Sequence, residues 1–189
     1  MKKKSLPHKR IILLLVAGYW LLVGLAGCGY TTRSLISNKY KTIYIPPFLN
    51  QINITSDAKT GSKYQIYRPG LETDLTKAVI DRFRLDGNLR LEKESANADL
   101  ILKGSLVDYR RDVLRYATDD NPEEYRVSIM IDINLRDRKE DKLVWEEKSF
   151  TGDTSYFLSG PNAKSDATAV TEATKDLARR IVARTVENW

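Results

Sequence analysis

The sequence is poor in the residues that carry most enzyme chemistry. It holds one cysteine, Cys28, and one histidine, His8. A lone cysteine has no partner for an intrachain disulfide, and a zinc-type site needs several ligands. Long apolar runs are missing too. Ile11 to Ala26 carries no charge but spans only 16 residues and is interrupted by Gly18 and Gly24. A membrane-spanning helix needs about 20 apolar residues, and no basic stop-transfer cluster follows the run. HExxH, Gly-rich phosphate-loop and EF-hand patterns do not occur. There is no internal repeat and no low-complexity block.

What is present begins at the N-terminus. Lys2, Lys3, Lys4, Lys9 and Arg10 precede the apolar run, with no acid among them. A basic n-region, an apolar h-region and small residues at its end describe a secretory signal peptide. Leu25-Ala26-Gly27-Cys28 resembles the lipobox of bacterial lipoproteins. That resemblance implies cleavage before Cys28 and acylation of its thiol. Each buried CH₂ of an acyl chain contributes about 0.8 kcal/mol, so two or more chains anchor stably. Residue 29 is glycine, not the aspartate that marks inner-membrane retention in enteric-type bacteria. The expected destination is the periplasmic side of the outer membrane, with the membrane reached through the N-terminal lipid.

Cleavage changes the chemistry of the chain. Residues 1–27 remove five basic residues of 31 and none of the 25 acidic ones, leaving 26 against 25 and a net charge of +1. A near-neutral protein gives no support for a nucleic-acid partner. His8 departs with the same segment. Ser-His-Asp, Cys-His and His-ligated metal sites are thereby excluded from the mature protein.

The remaining 162 residues amount to one domain. Residues 28–40 read as a lipid-anchored tether and 41–189 as a single α+β domain. Thr42 to Ile45 reads as a short strand ended by Pro46-Pro47, because proline cannot donate to a ladder. Residues 49–68 read as a long polar loop. Leu71, Leu75, Ala78, Val79 and Phe83 lie on one helical face, after Pro69 and before the stop Asp86-Gly87-Asn88. Leu89 to Lys93 reads as a short alternating strand. Ala98 to Tyr109 reads as a central strand in which Gly104 marks a bulge or a close packing point. The cleanest signal is Tyr125 to Arg136, where Tyr125, Val127, Ile129, Ile131, Ile133 and Leu135 alternate with polar residues and Met130. A charged turn follows, then a strand from Leu143 to Thr151, a loop from Ser155 to Asp166, and a helix from Ala167 to Asn188. The expected fold is a two-layer α+β sandwich: a mostly antiparallel sheet of four to five strands with two helices packed on one face.

The connection from Asp108 to Tyr125 is chemically uneven. Tyr109, Arg110, Arg111, Arg115 and Tyr116 precede an acidic tip of Asp119, Asp120, Glu123 and Glu124. It reads either as a protruding hairpin that meets an anionic, partly apolar partner, or as a solvated hairpin whose arginines pair with its own acids. Catalytic carboxylate pairs need a rigid scaffold that sets their separation, so adjacent acids at a loop tip point to solubility. Trp145 and Phe150 read as core. Trp189 reads either as a cap on the sheet or as a partner contact.

Cys28-Gly29-Tyr30, Ile43 to Phe48, Pro69-Gly-Leu-Glu72, Ala98 to Gly104 and Glu124-Tyr-Arg-Val127 together resemble the LptE family of lipopolysaccharide-assembly lipoproteins. The resemblance runs through the mature chain. It implies a non-enzymatic protein with no cofactor, no catalytic residue and no metal site. It implies a lipoprotein that plugs and helps assemble the outer-membrane barrel LptD and binds lipopolysaccharide in transit. Charge then nominates Arg110, Arg111, Arg115, Arg136, Arg138 and Lys139 as lipopolysaccharide contacts. Two alternatives stay open: a lipoprotein activator of a periplasmic peptidoglycan synthase, and a periplasmic enzyme working through carboxylates.

Overall fold

The structure, a computed structural model, describes residues 39–52 and 68–187. The signal peptide, Cys28, most of the tether, residues 53–67 of the polar loop and Trp189 lie outside the described residues.

The elements run β1 (Thr42–Tyr44), β2 (Leu49–Asn50), α1 (Leu71–Asp86), β3 (Arg90–Leu91), a 3₁₀ turn at Ser95–Asn97, β4 (Leu100–Tyr116), β5 (Pro122–Asp137), β6 (Lys142–Phe157) and α2 (Asp166–Val186). They form one six-stranded sheet in the order β3-β1-β4-β5-β6, with β2 added along β4. The sheet therefore has six strands where four or five were expected, and it is mixed. The β4–β5 and β5–β6 ladders are antiparallel, whereas β1 pairs β3 and β4, and β2 pairs β4, in parallel. Pro46-Pro47 separates β1 from β2, so one edge of β4 is covered by two short strands. β4 takes the central place its apolar start suggests.

Two strands run well past their hydrophobic patterns. β4 continues from Tyr109 to Tyr116, and β6 takes in Ser155 to Phe157, which read as loop. Leu49-Asn50 is likewise a strand inside the expected loop. Bulges interrupt the ladders near Val107, Leu114, Asp132 and Val144, locally increasing the twist.

The inner face follows the period-2 reading of β5. Val127, Ile129, Ile131, Ile133 and Leu135 are buried beside Leu100, Leu102 and Leu106 of β4. Against them pack Leu71, Leu75, Val79 and Phe83 of α1 and Ala173, Leu177, Ile181 and Val182 of α2. Each large apolar side chain removed from water contributes about 1.5–3 kcal/mol relative to exposure. Trp145 lies in this core and Phe150 packs against it. Gly87 ends α1 at φ 73°, a left-handed conformation that a Cβ disfavours. Gly104 marks close packing: a Cβ there would stand 3.0 Å from the Phe48 ring. Ser165 caps α2 by accepting the Thr168 amide at 3.1 Å.

Candidate functional site

β4, β5 and β6 form a three-stranded ribbon with two chemically different ends. At the base, the start of the domain is tied down by two carboxylates. Asp99 accepts the Lys41 amide at 3.0 Å, the Thr42 amide at 3.2 Å and the Thr42 hydroxyl at 3.1 Å, and pairs with Lys139 Nζ at 3.1 Å. The Lys41 amide above all, with Lys139 and Thr42, holds Asp99 down at about 2 against the cost of its desolvation. Asp137, almost fully buried, accepts the Glu140 and Lys139 amides at 3.1 and 2.9 Å, the Tyr40 hydroxyl at 3.0 Å and Lys39 Nζ at 3.0 Å. Burial opposes its ionisation. The Glu140 amide, Lys39, Tyr40 and the Lys139 amide together outweigh burial and bring it to about 2. Lys39 and Tyr40, placed in the tether by the sequence reading, are thus fastened to the fold. That boundary falls two residues inside it.

The three basic residues predicted at this turn are already engaged. Arg136 pairs with Asp141 at 2.9 Å, and Lys139 with Asp99. Arg138 Nε donates to the Ala98 carbonyl at 2.6 Å. Lys139 is the most exposed of these.

The other three predicted cations sit toward the far end of the ribbon. From the Glu124 register, where Arg115 lies, to Arg136 is 12 residues along β5, about 40 Å at a strand rise of ~3.3 Å. The structure therefore does not bring the two groups together. Within the distal group, alternation along β4 splits neighbours. Arg110 points to the outer face, is exposed and pairs with Asp108. Arg115 pairs with Glu124 at 3.7 Å and lies over the Phe157 ring at 5.6 Å. Arg111 points to the helix side, 3.5 Å from Asp166 and 5.0 Å from the Tyr125 ring centroid. Asp166 also accepts the Tyr156 hydroxyl at 3.1 Å and faces Arg68 at 3.8 Å. Burial first, then that acceptor, pushes the Tyr156 phenol up to about 12. Arg111 thus belongs to a clasp joining β4, β6 and the starts of both helices.

Two exposed apolar side chains flank Arg115. Leu114 is 40% and Tyr116 59% exposed, with Leu158 beyond the end of β6 at 50%. Sequence reasoning missed Leu114 and Leu158, whose exposure follows only once β4 and β6 extend past the helices. Of the acidic tip residues, Glu124 pairs with Arg115 and Asp119 is held by the Asn121 side chain and amide at 2.7 and 3.3 Å. Among the described residues no three His, Cys, Asp or Glu side chains cluster in a metal-binding arrangement.

Among the described residues no helix covers the sheet's outer face. Register places Lys103, Asn134 and Glu146 in one cross-strand row, Arg110, Ser128 and Asp153 in another, and Asp112, Arg126 and Ser155 in a third. It is a polar face of mixed charge, spread over three long strands.

A sequence model described as LptE, Lipopolysaccharide-assembly, matches residues 40–185, most of the chain and all but the last residue of the sheet and helices that form these surfaces. The chain belongs to the LptE family. An LptE-family protein is a non-enzymatic lipoprotein of lipopolysaccharide assembly, associated with the cell-envelope membranes. No curated protein sequence matches the chain. Among solved structures, the protein XCC0632 from Xanthomonas campestris is similar at 12% identity, with a TM-score of 0.54 over 82% of this chain and 92% of that one. The hypothetical protein CT253 from Chlamydia trachomatis is similar at 13% identity and a TM-score of 0.50, over 77% and 95%. The rare lipoprotein B from Shewanella oneidensis shows 15% identity and a TM-score of 0.44, over 77% and 93%. At these identities the first two show a shared fold alone. In this LptE-family fold the exposed chemistry divides between a base latch, a distal amphipathic end and a bare polar sheet face.

Proposed function

We propose that this protein is an outer-membrane lipoprotein that plugs the lipopolysaccharide-translocation barrel LptD, helps assemble it, and binds lipopolysaccharide on its way to the cell surface. The observation that carries the reading is the family match over residues 40–185. The bare polar sheet face supports it, because barrel lumens are polar and a plug needs no apolar exterior. Residues 1–27 serve as signal peptide, and acylated Cys28 anchors the chain to the inner leaflet through residues 29–38. Residues 39–187 form the working domain.

Lipopolysaccharide joins phosphorylated, acidic sugar to acyl chains. A binding surface for it needs cations beside apolar area. The distal end offers both, with Arg115 between Leu114 and Tyr116 and Arg110 further along the same strand. We assign the first contact there. Arg111 is tied to Asp166 and acts in this scheme by holding the distal ribbon in place. Arg136, Arg138 and Lys139 form a separate basic group at the base, beside the entry of the tether.

Depletion tests the function. Cells losing the protein should lose both mature barrel and surface lipopolysaccharide, while periplasmic peptidoglycan synthesis continues. Normal surface lipopolysaccharide with impaired peptidoglycan synthesis would instead support the synthase-activator reading.

A further inference from the structure

On the solvent side of the helical layer, away from the bare sheet face, α1 and α2 border a cleft of about 790 Å³. Both helices begin at the distal end, where Arg68 before α1 and Asp166 of α2 face each other, so they run side by side in the same direction. The floor of the cleft is made of small or apolar residues, Ala78, Val170 and Ala178, and ends at Leu85. Leu85 is 79% exposed, more than any other large apolar residue among those described. From Asp74 to Leu85 the cleft follows 11 residues of α1, about 16 Å or three turns.

Its charges are unequally satisfied. Of the lining acids, Asp81 pairs with Arg84 at 2.8 Å and Asp176 with Arg179. Lys77 and Arg82, which also line the cleft, make no ion pair among the described residues. Lys175 acts on Glu172 only through space. Among the described lining residues, Asp74 is the one acid without an ion pair to oppose these three cations. The cleft is therefore apolar at its floor and positive at its rims.

We propose that this cleft receives an acidic amphipathic helix of a protein partner, about three turns long. The helix would lay apolar side chains at i, i+3, i+4 and i+7 along Ala78, Val170 and Leu85, with Asp or Glu on both flanks meeting Lys77, Arg82 and Lys175. The small floor residues let a third helix approach closely. An acyl chain would fill only a narrow part of a trough whose cations stand along two separate helices. Seated here, the partner lies on the side opposite the sheet, so it binds without competing for the sheet face.

The test uses the full lipoprotein in mild-detergent micelles. The probe is a fluorescent, hydrocarbon-stapled helical peptide with leucines on one face and glutamates on both flanks. Its counterpart carries lysine at every glutamate. The acidic peptide should bind saturably and the basic one should not. The double variant Lys77→Glu, Lys175→Glu should weaken binding about tenfold or more, since opposed charges become like charges. Its melting temperature should be unchanged, as both positions are exposed. Leu85→Asp, at a site already in water, should also abolish binding and serves if the double variant does not fold. Equal binding of the two peptides, or full binding by both variants, would overturn the proposal. So would displacement of the acidic peptide by phosphatidylglycerol vesicles that themselves need Lys77 and Lys175, since the occupant would then be lipid.

Discussion

The Tyr40 hydroxyl donates to the Asp137 carboxylate at 3.0 Å, across 97 residues of sequence. This bond fixes where the chain enters the domain. Lys39 and Tyr40 lie at the β5–β6 turn, so the distal end of the ribbon points away from the start of the described chain.

Removing the Asp137 carboxylate should therefore loosen the base. Asp137→Ala leaves two amides, the Tyr40 hydroxyl and the Lys39 ammonium without their acceptor. A loss of about 1–3 kcal/mol is expected in denaturant unfolding, because buried donors left unpaired cost their desolvation. Faster hydrogen exchange at the Lys139 and Glu140 amides should accompany it.

The two base carboxylates also predict an acid response. Asp99 and Asp137 are held down at about 2 in the fold, against about 3.9 in an unfolded chain. A depressed folded value stabilises the fold above the unfolded pKa, and that contribution is lost as pH falls toward the folded one. Melting temperature should hold from neutral pH to about 4 on this ground and fall between about 4 and 2. The Asp99→Asn, Asp137→Asn double variant should start lower and show a shallower fall in the same window.

Gly152 predicts a packing defect. A Cβ there would lie 2.7 Å from the Leu177 backbone, so α2 would have to lift from β6. Gly152→Ala should cost about 1–3 kcal/mol or more, as overpacked cores do. Thermal melts measure it, and a Leu177→Ala partner change, which shortens the opposing side chain but not the backbone, should fail to restore stability.

Much of this architecture is legible in the sequence, for identifiable reasons. β5 is readable because six apolar residues from Tyr125 to Leu135 alternate without a break. α1 and α2 are readable because Leu71, Leu75, Val79 and Phe83, and Val170, Ala173, Leu177 and Ile181, repeat at helical spacing. The parallel pairings are not: β1, β2 and β3 have three, two and two residues, too few to show a period or a direction. The end of β6 is not legible either, because Gly152, Asp153 and Ser155 lack strand preference and only the β5 partner supplies their ladder. The latch was invisible because Tyr40, Asp99 and Asp137 meet only through folding. Arg110-Arg111 is the instructive case at the site. Adjacent residues on a strand must face opposite ways, so extending β4 by a few residues would have separated them in the sequence itself.

The distal end predicts a binding defect without a folding one. Arg110→Glu with Arg115→Glu places like charge against an anionic ligand at two exposed positions. Lipopolysaccharide binding to the purified lipoprotein should weaken about tenfold, with melting temperature changed by no more than a few degrees. The same reversal at Arg111 should lower stability instead, because its side chain is only 21% exposed and is part of the clasp with Asp166 and Tyr156.

The most direct measurement is a mild-detergent purification of the full lipoprotein, tagged at its C-terminus and expressed from its own promoter. A large outer-membrane β-barrel should co-purify in a fixed ratio and remain bound through size-exclusion chromatography. Recovery of a peptidoglycan synthase with no barrel, or of the lipoprotein alone, would contradict the assignment as a barrel plug.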